Sequence, residues 1–179
     1  TVPLASVLQV CDGPDLSALI YPKSKSPADK LTPEQMMSLA LQMTEGLAHL
    51  HSHSVEHLDM KPGNVLIVRN GQHGSEEYGV RIADFGMDAE QAESDKEAEE
   101  EDTSVYGTWE YLSPECWKRR FGQPCFASDV FSFGIILWEL WACTRVYKGF
   151  HGIEDTPDSN GNADVTIVPR RMALQGQRP

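Results

Sequence analysis

The sequence predicts an α+β fold that is mainly helical and carries one small β-hairpin. Two helical patterns support this prediction: residues 32–50 form an amphipathic stripe, and residues 128–141 are apolar nearly all round. Between them, the β-branched runs 64–68 and 80–83 have the pattern of short strands. Arg69-Asn70-Gly71 is a turn signal after the first run, so we expect the two strands to pair as a hairpin.

The size and charge of the chain limit the classes to which it can belong. It has 179 residues, 40% of them hydrophobic, which is enough for one sizeable core and favours one domain over two. The net charge of −12 argues against nucleic acid or an anionic membrane surface as a partner, because both bind basic patches. The longest apolar stretch, 130–143, is too short and too polar to cross a bilayer, so we expect no membrane segment.

The cysteines and the ends of the sequence lead to two further expectations. Because no C-x-x-C pair is present, the cysteines resemble free intracellular thiols and not a zinc site or a disulfide framework. They are Cys11, Cys116, Cys125 and Cys143. This favours a cytoplasmic location, which includes the cytosolic part of a membrane-attached protein. Since the chain begins with Thr1 and ends without a closing helix signal, we expect residues 1–179 to be a partial domain truncated at both ends.

Several other elements follow from local signals. Residues 4–10 predict a strand, and Leu16 to Ile20 predict a short helix with Asp15 as its N-cap. After the hairpin, acidic residues dominate 88–102, and such a run repels itself and predicts a solvated loop. Ser128 is expected to cap the apolar helix, which should lie in the middle of the domain.

The amphipathic helix has a clear start and an end that allows two interpretations. Thr32 is expected as its N-cap, with Gln35 completing a capping box. At the other end, His49 and His53 are four residues apart and could share a metal ion. The helix dipole favours cations at this end, so we prefer the interpretation that these histidines, together with His51, are solvated.

Segment 57–64, His-Leu-Asp-Met-Lys-Pro-Gly-Asn, concentrates polar side chains directly before a strand. Pro62 and Gly63 prevent regular helix there, so the segment is a loop that the following strand holds in place. Such a loop is suited to fixing side chains for chemistry. An ordinary surface turn would account for the same eight residues, so the interpretation depends on the rest of the chain.

Three acidic or amide residues at the ends of ordered elements, together with a nearby lysine, have a layout that suits phosphoryl transfer. Asn64 and Asp84 flank the predicted hairpin, and pairing of its strands would bring them together. Oxygen ligands of this kind suit Mg²⁺, which usually takes one or two protein groups and completes its shell with phosphate and water. Asp59 and Lys61 are two residues apart and can both reach one reacting phosphoryl group.

Five motifs resemble those of eukaryotic protein kinases, and the chain is similar to the helical C-terminal lobe of that α+β fold. Segment 57–64 resembles the catalytic loop, Asp84-Phe85-Gly86 the metal-binding triplet, and Ser113-Pro114-Glu115 the A-P-E of the activation segment. Gly107 to Leu112 is similar to the loop that receives the substrate. Asp129 to Gly134 resembles the start of the central buried helix. Their order along the chain makes the resemblance specific.

The resemblance, which covers most of residues 4–150, implies a role for each matched residue. Asp59 would orient the substrate hydroxyl and accept its proton, and Lys61 would hold the γ-phosphate of ATP. Asn64 and Asp84 would bind Mg²⁺. Lys61 together with Thr108 follows the serine/threonine pattern, and Thr108 completes the expected catalytic set.

The same resemblance implies nucleotide contacts and scaffold residues outside the loop. Gln9 to Cys11 match the hinge whose backbone holds adenine, Asp15 lies where the ribose is contacted, and Leu66 lies where the adenine ring rests. An ordinary turn and core would account for this group as well. The implied scaffold residues are His57 and Phe85, which stack toward the core, and Asp129, which braces the backbone of the catalytic loop.

Two departures from the family pattern affect what can be expected. Nothing matches the Gly-rich loop or the lysine of the N-terminal lobe, so we expect that lobe to dock on this chain. The arginine that usually pairs with Glu115 in the family is also expected to be missing. Leu58 replaces the arginine of the H-R-D pattern. We therefore expect that phosphorylation of Thr103 or Ser104 is not an activating switch.

The sequence thus predicts a protein serine/threonine kinase domain that uses ATP and Mg²⁺ and acts on protein substrates. The chain by itself is expected to be inactive, because half of the ATP cleft would be absent. The alternative is a pseudokinase-like module that binds or regulates without catalysis.

Overall fold

The computed structural model of the chain describes residues 11–23, 26, 30–69, 78–85 and 107–147. Its helices are α1 (Leu16–Ile20), α2 (Pro33–Ser52), α3 (Pro114–Trp117) and α4 (Phe126–Ala142), and its strands are β1 (Val65–Arg69) and β2 (Tyr78–Ile82). Short 3₁₀ helices lie at Pro62–Asn64, Trp109–Tyr111 and Arg119–Phe121. The predicted strand 4–10, which includes Gln9, and the acidic segment 88–102 lie outside the described residues.

Helix α2 begins as the sequence predicts. The Thr32 hydroxyl accepts a hydrogen bond from the Gln35 amide at 3.3 Å, and the Gln35 side chain accepts one from the Thr32 amide at 2.8 Å. These bonds satisfy backbone donors that have no partner inside the first helical turn. The capping box is therefore confirmed, and it fixes the point from which α2 runs toward the catalytic-loop segment.

The two strands form the predicted hairpin. Strands β1 and β2 pair antiparallel, with Val65 opposite Ile82 and Arg69 opposite Tyr78. The pairing continues by one more bond, from the Ala83 amide to the Asn64 carbonyl at 2.9 Å. The start of β1 and the end of β2 therefore lie side by side.

Helix α2 covers the outer edge of β2 through the side-chain amide of Gln42. Its nitrogen donates to the carbonyl of Tyr78 at 2.8 Å, and its oxygen accepts from the amide of Val80 at 3.1 Å. An unpaired strand edge exposes backbone groups to other chains. Gln42 thus satisfies part of this edge and fixes the hairpin against α2.

Helix α4 begins three residues earlier than the sequence predicts. The N-cap is Cys125, and the expected cap, Ser128, lies inside the first turn. The Ser128 hydroxyl accepts from the Cys125 amide at 3.0 Å, so it has the role of the third helical residue in a capping box. The prediction of Ser128 as the cap was wrong because a serine can occupy either position of that reciprocal pair.

The core lies where α1, α2, the hairpin and α4 meet. Burying one such aliphatic side chain stabilises the fold by about 1.5–3 kcal/mol. The fully buried apolar side chains include Leu16, Leu39, Met43, Met60, Val65, Ile67, Ile136 and Leu140. Within the described ranges, every helix is too short or too polar to span a bilayer.

Only one face of α4 is buried, which corrects the expectation of a helix inside the domain on all sides. Val130 is 56% exposed and Trp141 is 53% exposed. The buried face instead carries three polar residues, Asp129, Ser132 and Glu139, each of which forms hydrogen bonds. Burying such groups is tolerated because each has partners. Helix α4 therefore anchors neighbouring loops as well as filling the core.

Candidate active site

The carboxylate of Asp59 is the centre of a hydrogen-bond cluster formed by two segments. Its Oδ2 accepts from Lys61 Nζ at 2.5 Å and from Asn64 Nδ2 at 3.1 Å. Its Oδ1 accepts from the amide and from the hydroxyl of Thr108, at 2.9 and 2.8 Å. Asp59 is 18% exposed and Lys61 is 30% exposed, so the cluster is open to an incoming molecule. Four residues that the sequence selected are therefore brought together.

Thr108 connects the activation-segment region to the catalytic loop. Its hydroxyl donates to Asp59 and accepts from Lys61 Nζ at 2.8 Å. Gly107, just before it, has a φ of +99°, and an added Cβ would lie 3.0 Å from the Leu58 carbonyl oxygen. Glycine is required there for both backbone angle and space. Gly107 is therefore a positioning residue. The sequence motif includes it but does not show that a glycine is needed at this position.

Asn64 and Asp84 lie at the same end of the hairpin, as the strand pairing requires. Asn64 is buried, and its Nδ2 donates to the Asp59 carbonyl at 2.9 Å as well as to the carboxylate. Both bonds use the nitrogen, so the amide oxygen is left for another partner. Asp84 directly follows Ala83, the partner of Asn64, and is exposed with a φ of +57°. The donor set, one amide oxygen and one carboxylate, fits Mg²⁺.

Phe85 does not follow the expectation drawn from the resemblance. Its side chain is 48% exposed, so it does not stack into the core of the described residues. His57 does lie in the core, as expected: it is 1% exposed, and its Nε2 forms a hydrogen bond with the Ala83 carbonyl at 2.9 Å. Among the described residues, no group of three or more histidine, cysteine or acidic side chains is arranged to hold a metal ion.

Asp129 braces the backbone of the catalytic loop from α4. It is fully buried, and its carboxylate accepts from the amides of His57 at 2.9 Å and Leu58 at 2.7 Å. Leu58 has a φ of +63°, a conformation that costs a non-glycine residue about 1–2 kcal/mol. The two bonds to Asp129 offset this cost and hold Leu58 in the turn that precedes Asp59.

His51 is a residue of this site that sequence reasoning missed. Its Nε2 lies 2.9 Å from Asp129 Oδ2, whereas the expected solvated position holds only for the exposed His49 and His53. The rings of His49 and His53 are 4.4 Å apart, and His53 Nδ1 bonds the His49 carbonyl. No local pattern signals the His51 contact, because its partner lies 78 positions away.

Comparison with protein families matches the protein kinase domain to residues 4–168. The chain belongs to the protein kinase family. Members of this family generally use ATP and Mg²⁺ and act on proteins. The small antiparallel sheet beside mostly helical elements is consistent with the α+β kinase fold.

Curated relatives of this kinase domain are much longer than the chain. It is 29% identical over 171 residues to the serine/threonine-protein kinase RUNKEL of Arabidopsis thaliana, which covers 90% of the chain and 11% of that protein. It is 28% identical over 175 residues to a probable serine/threonine-protein kinase of Streptomyces coelicolor. This match covers 94% of the chain and 24% of that protein. The serine/threonine-protein kinase-transforming protein mos of a myeloproliferative sarcoma virus is 32% identical to the chain over 139 residues. This match covers 75% of the chain and 37% of that protein.

The kinase domain brings two of the expected nucleotide residues together. Asp15 forms an antiparallel bridge with Leu66, next to the bond from the Ile67 amide to the Pro14 carbonyl at 2.9 Å. At Gly13 an added Cβ would lie 2.0 Å from the Ile67 carbonyl oxygen, so only glycine permits this approach. Cys11, at the start of this segment, is half-buried. None of the four cysteines forms a disulfide bond among the described residues. Gln9 lies outside the described residues.

The Asp15 carboxylate also has the capping role that the sequence predicts. Its Oδ1 accepts from the Ala18 amide at 3.2 Å and from the Ser17 hydroxyl. Both bonds use the same oxygen, so Oδ2 is left to accept from a ligand hydroxyl. Capping of α1 and a ribose contact are therefore compatible at this residue.

Segment 107–112 of the kinase domain is held to α4 by two hydrogen bonds of Tyr111. Tyr111 donates its hydroxyl to the buried carboxylate of Glu139 at 2.9 Å, and its carbonyl accepts from Ser132 at 2.7 Å. Burial and the Glu139 carboxylate raise the pKa of Tyr111, so it remains a phenol donor at all ordinary pH values. Glu115 accepts from the Ser128 hydroxyl at 2.7 Å.

Proposed function

We propose that the protein transfers the γ-phosphoryl group of ATP to serine or threonine hydroxyls of protein substrates. The observation that carries this proposal is the Asp59 cluster, in which Lys61, Asn64 and Thr108 all bond one partly exposed carboxylate. A general base must lie within hydrogen-bond reach of the proton that it takes, and this carboxylate is open to such a hydroxyl. The combination of Lys61 and Thr108 supports a serine or threonine acceptor.

The reaction needs little covalent chemistry from the protein. As the acceptor oxygen bonds to phosphorus and the bond to the ADP oxygen breaks, Asp59 takes the hydroxyl proton. Lys61 neutralises charge that develops on the transferred group. Thr108, which bonds both side chains, keeps their separation fixed, so less reorganisation is needed when the substrate arrives.

We assign the nucleotide and the metal to the residues that match the family's motifs. Asn64 through its amide oxygen and Asp84 through its carboxylate would hold Mg²⁺, whose charge neutralises the phosphates when bound. The backbone of Gln9 to Cys11 would hold adenine, Leu66 would support the ring, and Asp15 would contact the ribose. The adjacency of Asp15 and Leu66 supports this assignment.

We further propose that this chain supplies the helical lobe of the kinase and that an N-terminal lobe docks beside Leu66. In the part of the chain that the structure describes, the mostly helical content and the one hairpin support this. Because Leu58 carries no charge, it cannot bind a phosphate on the activation segment, which supports activity without phosphorylation of Thr103 or Ser104. Because the four cysteines form no C-x-x-C pair and resemble free intracellular thiols, we propose a cytoplasmic location, which includes the cytosolic part of a membrane-attached protein.

The test is the Asp59→Asn substitution in the full-length protein, assayed with MgATP and a generic basic protein. Loss of a positioned acid–base group should lower kcat by about 10²–10⁴-fold. Glu45→Gln, which removes an exposed carboxylate from α2, is the matched control and should leave kcat unchanged. Unchanged turnover in Asp59→Asn would overturn the proposal. A wild-type protein that binds nucleotide but transfers no phosphate would favour the non-catalytic module.

A further inference from the structure

Ser17, in the first turn of α1, bonds the side chain of Asp15. Its hydroxyl meets Asp15 Oδ1, the oxygen that also accepts from the Ala18 amide at 3.2 Å. Since a carboxylate only accepts, the serine hydroxyl is the donor in this contact. Two bonds from α1 therefore hold one oxygen of Asp15, and with it the rotation of the whole carboxylate.

The bond from Ser17 is not needed to cap α1. A cap satisfies backbone amides of the first turn, and Asp15 already does this through Ala18. The Ser17 hydroxyl donates to a side chain and not to the helix backbone, and serine is a weaker helix former than alanine. The stability of α1 therefore gives no reason for a serine at this position.

The backbone of Asp15 is held separately, by strand β1. Asp15 forms an antiparallel bridge with Leu66, and the carbonyl of Pro14 accepts from the Ile67 amide at 2.9 Å. A ligand beside Leu66 would therefore meet a carboxylate whose position is set by β1 and whose rotation is set by Ser17. Because the bonds within α1 use Oδ1, Oδ2 is the oxygen left for the ligand.

We propose that Ser17 is a positioning residue of the nucleotide site: its bond to Oδ1 of Asp15 directs Oδ2 toward a ribose hydroxyl of the nucleotide. The inference rests on the proposed function for the place of the nucleotide and adds the residue that directs the ribose contact. Without this bond the carboxylate can rotate about its terminal torsion, which has a broad energy minimum. Ordering the carboxylate before the ligand arrives removes a cost that binding would otherwise carry.

The experiment measures the dissociation constants of MgATP and of its 2′-deoxy and 3′-deoxy analogues for the full-length protein by titration calorimetry. Ser17→Ala removes the hydroxyl, and Ser17→Thr keeps it. Asp15→Ser keeps an N-cap for α1 but has no second acceptor oxygen. Ser38→Ala is the matched control, because Ser38 is exposed on α2 and its hydroxyl also bonds a side chain of its own helix, that of Gln42.

In the wild type, one analogue should bind more weakly than ATP, which identifies the ribose hydroxyl that Asp15 accepts. Ser17→Ala should raise the dissociation constant of ATP by about 3- to 10-fold, the effect of leaving one side chain to be ordered on binding. Its dissociation constant for the weaker analogue should equal that of the wild type. Ser17→Thr should restore the affinity for ATP, and Ser38→Ala should match the wild type.

Two further measurements separate positioning from general damage. Since only binding is affected, kcat of Ser17→Ala at saturating ATP should stay within about twofold of the wild type while the KM for ATP rises. In the Asp15→Ser background, Ser17→Ala should have no further effect, because the two residues act through one contact. If Asp15→Ser does not fold, the comparison of Ser17→Ala with Ser17→Thr decides.

The inference is wrong if ATP binds Ser17→Ala as tightly as the wild type, or if Ser17→Ala weakens ATP and both analogues by the same factor. A wild type that binds ATP and both analogues equally would also refute it, because Asp15 would then accept nothing from the ribose. Ribose discrimination that depends on Ser17 in a protein that transfers no phosphate would refute the proposed function alone. Phosphate transfer with an unaffected Ser17→Ala variant would refute this inference alone, and a wild type that binds no nucleotide would refute both.

Discussion

Thr108 bonds the carboxylate of Asp59 twice, through its amide at 2.9 Å and through its hydroxyl at 2.8 Å. The backbone bond fixes the segment, and the side-chain bond fixes the direction of the carboxylate. Because the same hydroxyl accepts from Lys61, one side chain sets the separation of the two groups that face the substrate.

Thr108→Val should separate these two functions of the residue. Valine has nearly the same shape and keeps the backbone bond, but it leaves Lys61 and Asp59 without the shared hydroxyl. Hydrogen bonds to charged groups are worth about 1.5–3 kcal/mol, so kcat in the full-length protein should fall by about 10- to 100-fold. Thr108→Ser keeps the hydroxyl and should retain most activity, and equal losses in both variants would contradict this role.

Gly107→Ala should damage the site through both the backbone angle and the space beside the loop. Gly122→Ala is the matched control, because Gly122 has a φ of +119° but nothing within 4 Å of an added Cβ. Both variants should lose about 1–2 kcal/mol of stability from the left-handed backbone. Only Gly107→Ala pushes on Leu58, so only it should also reduce kcat. Equal kcat values for the two alanine variants would show that the close contact does not matter.

The residues of the Asp59 cluster could be predicted because most of them lie close together in the sequence. Asp59, Lys61 and Asn64 lie within six positions, and the hairpin that brings Asp84 alongside has a visible turn and strand pattern. The contact between Asp129 and His51 could not be predicted in this way. It depends on how two helices pack, and a histidine at a helix end has an equally good local explanation in the helix dipole.

The fold prediction was right where the local sequence allows one interpretation and wrong where it allows more than one. The start of α2 was predictable because Thr32 and Gln35 act within one turn. The start of α4 was misplaced because Ser128 suits two positions in the capping box, and nothing in the local sequence favours Cys125 as the cap. The exposure of Val130 was also missed, since apolar residues around a whole helix do not reveal which face meets neighbouring elements.

Gln42→Leu should weaken the attachment of the hairpin to α2. Leucine fills similar space but leaves the Val80 amide and the Tyr78 carbonyl without their partners, at a cost of about 1–3 kcal/mol each. Hydrogen exchange in β2 should accelerate accordingly in the full-length protein. Ser38→Ala removes only the exposed contact of Gln42 with Ser38 and should change stability by less than about 0.5 kcal/mol. Unchanged exchange in β2 would contradict the role of Gln42.

The Glu56 carboxylate gives the kinase domain a pH dependence whose direction follows from its surroundings. Partial burial and the Asp129 charge raise the pKa of Glu56 above its ordinary value, while His51 lowers it by less. The folded state therefore holds a proton on Glu56 at pH values where the unfolded state has released it. Stability must then fall as pH rises from the ordinary glutamate pKa through the raised value, and it is level above that window.

Glu56→Gln should remove this loss, because glutamine carries no charge at any pH. The variant should have a higher Tm than the wild type at pH 7, and the difference should shrink to zero as the pH falls below the ordinary glutamate pKa. Calorimetric scans of both full-length proteins between pH 4 and 8 measure it, with Glu45→Gln as the control for an exposed carboxylate. A lower Tm for Glu56→Gln at pH 7 would mean that His51 attracts Glu56 more strongly than burial and Asp129 disfavour its charge.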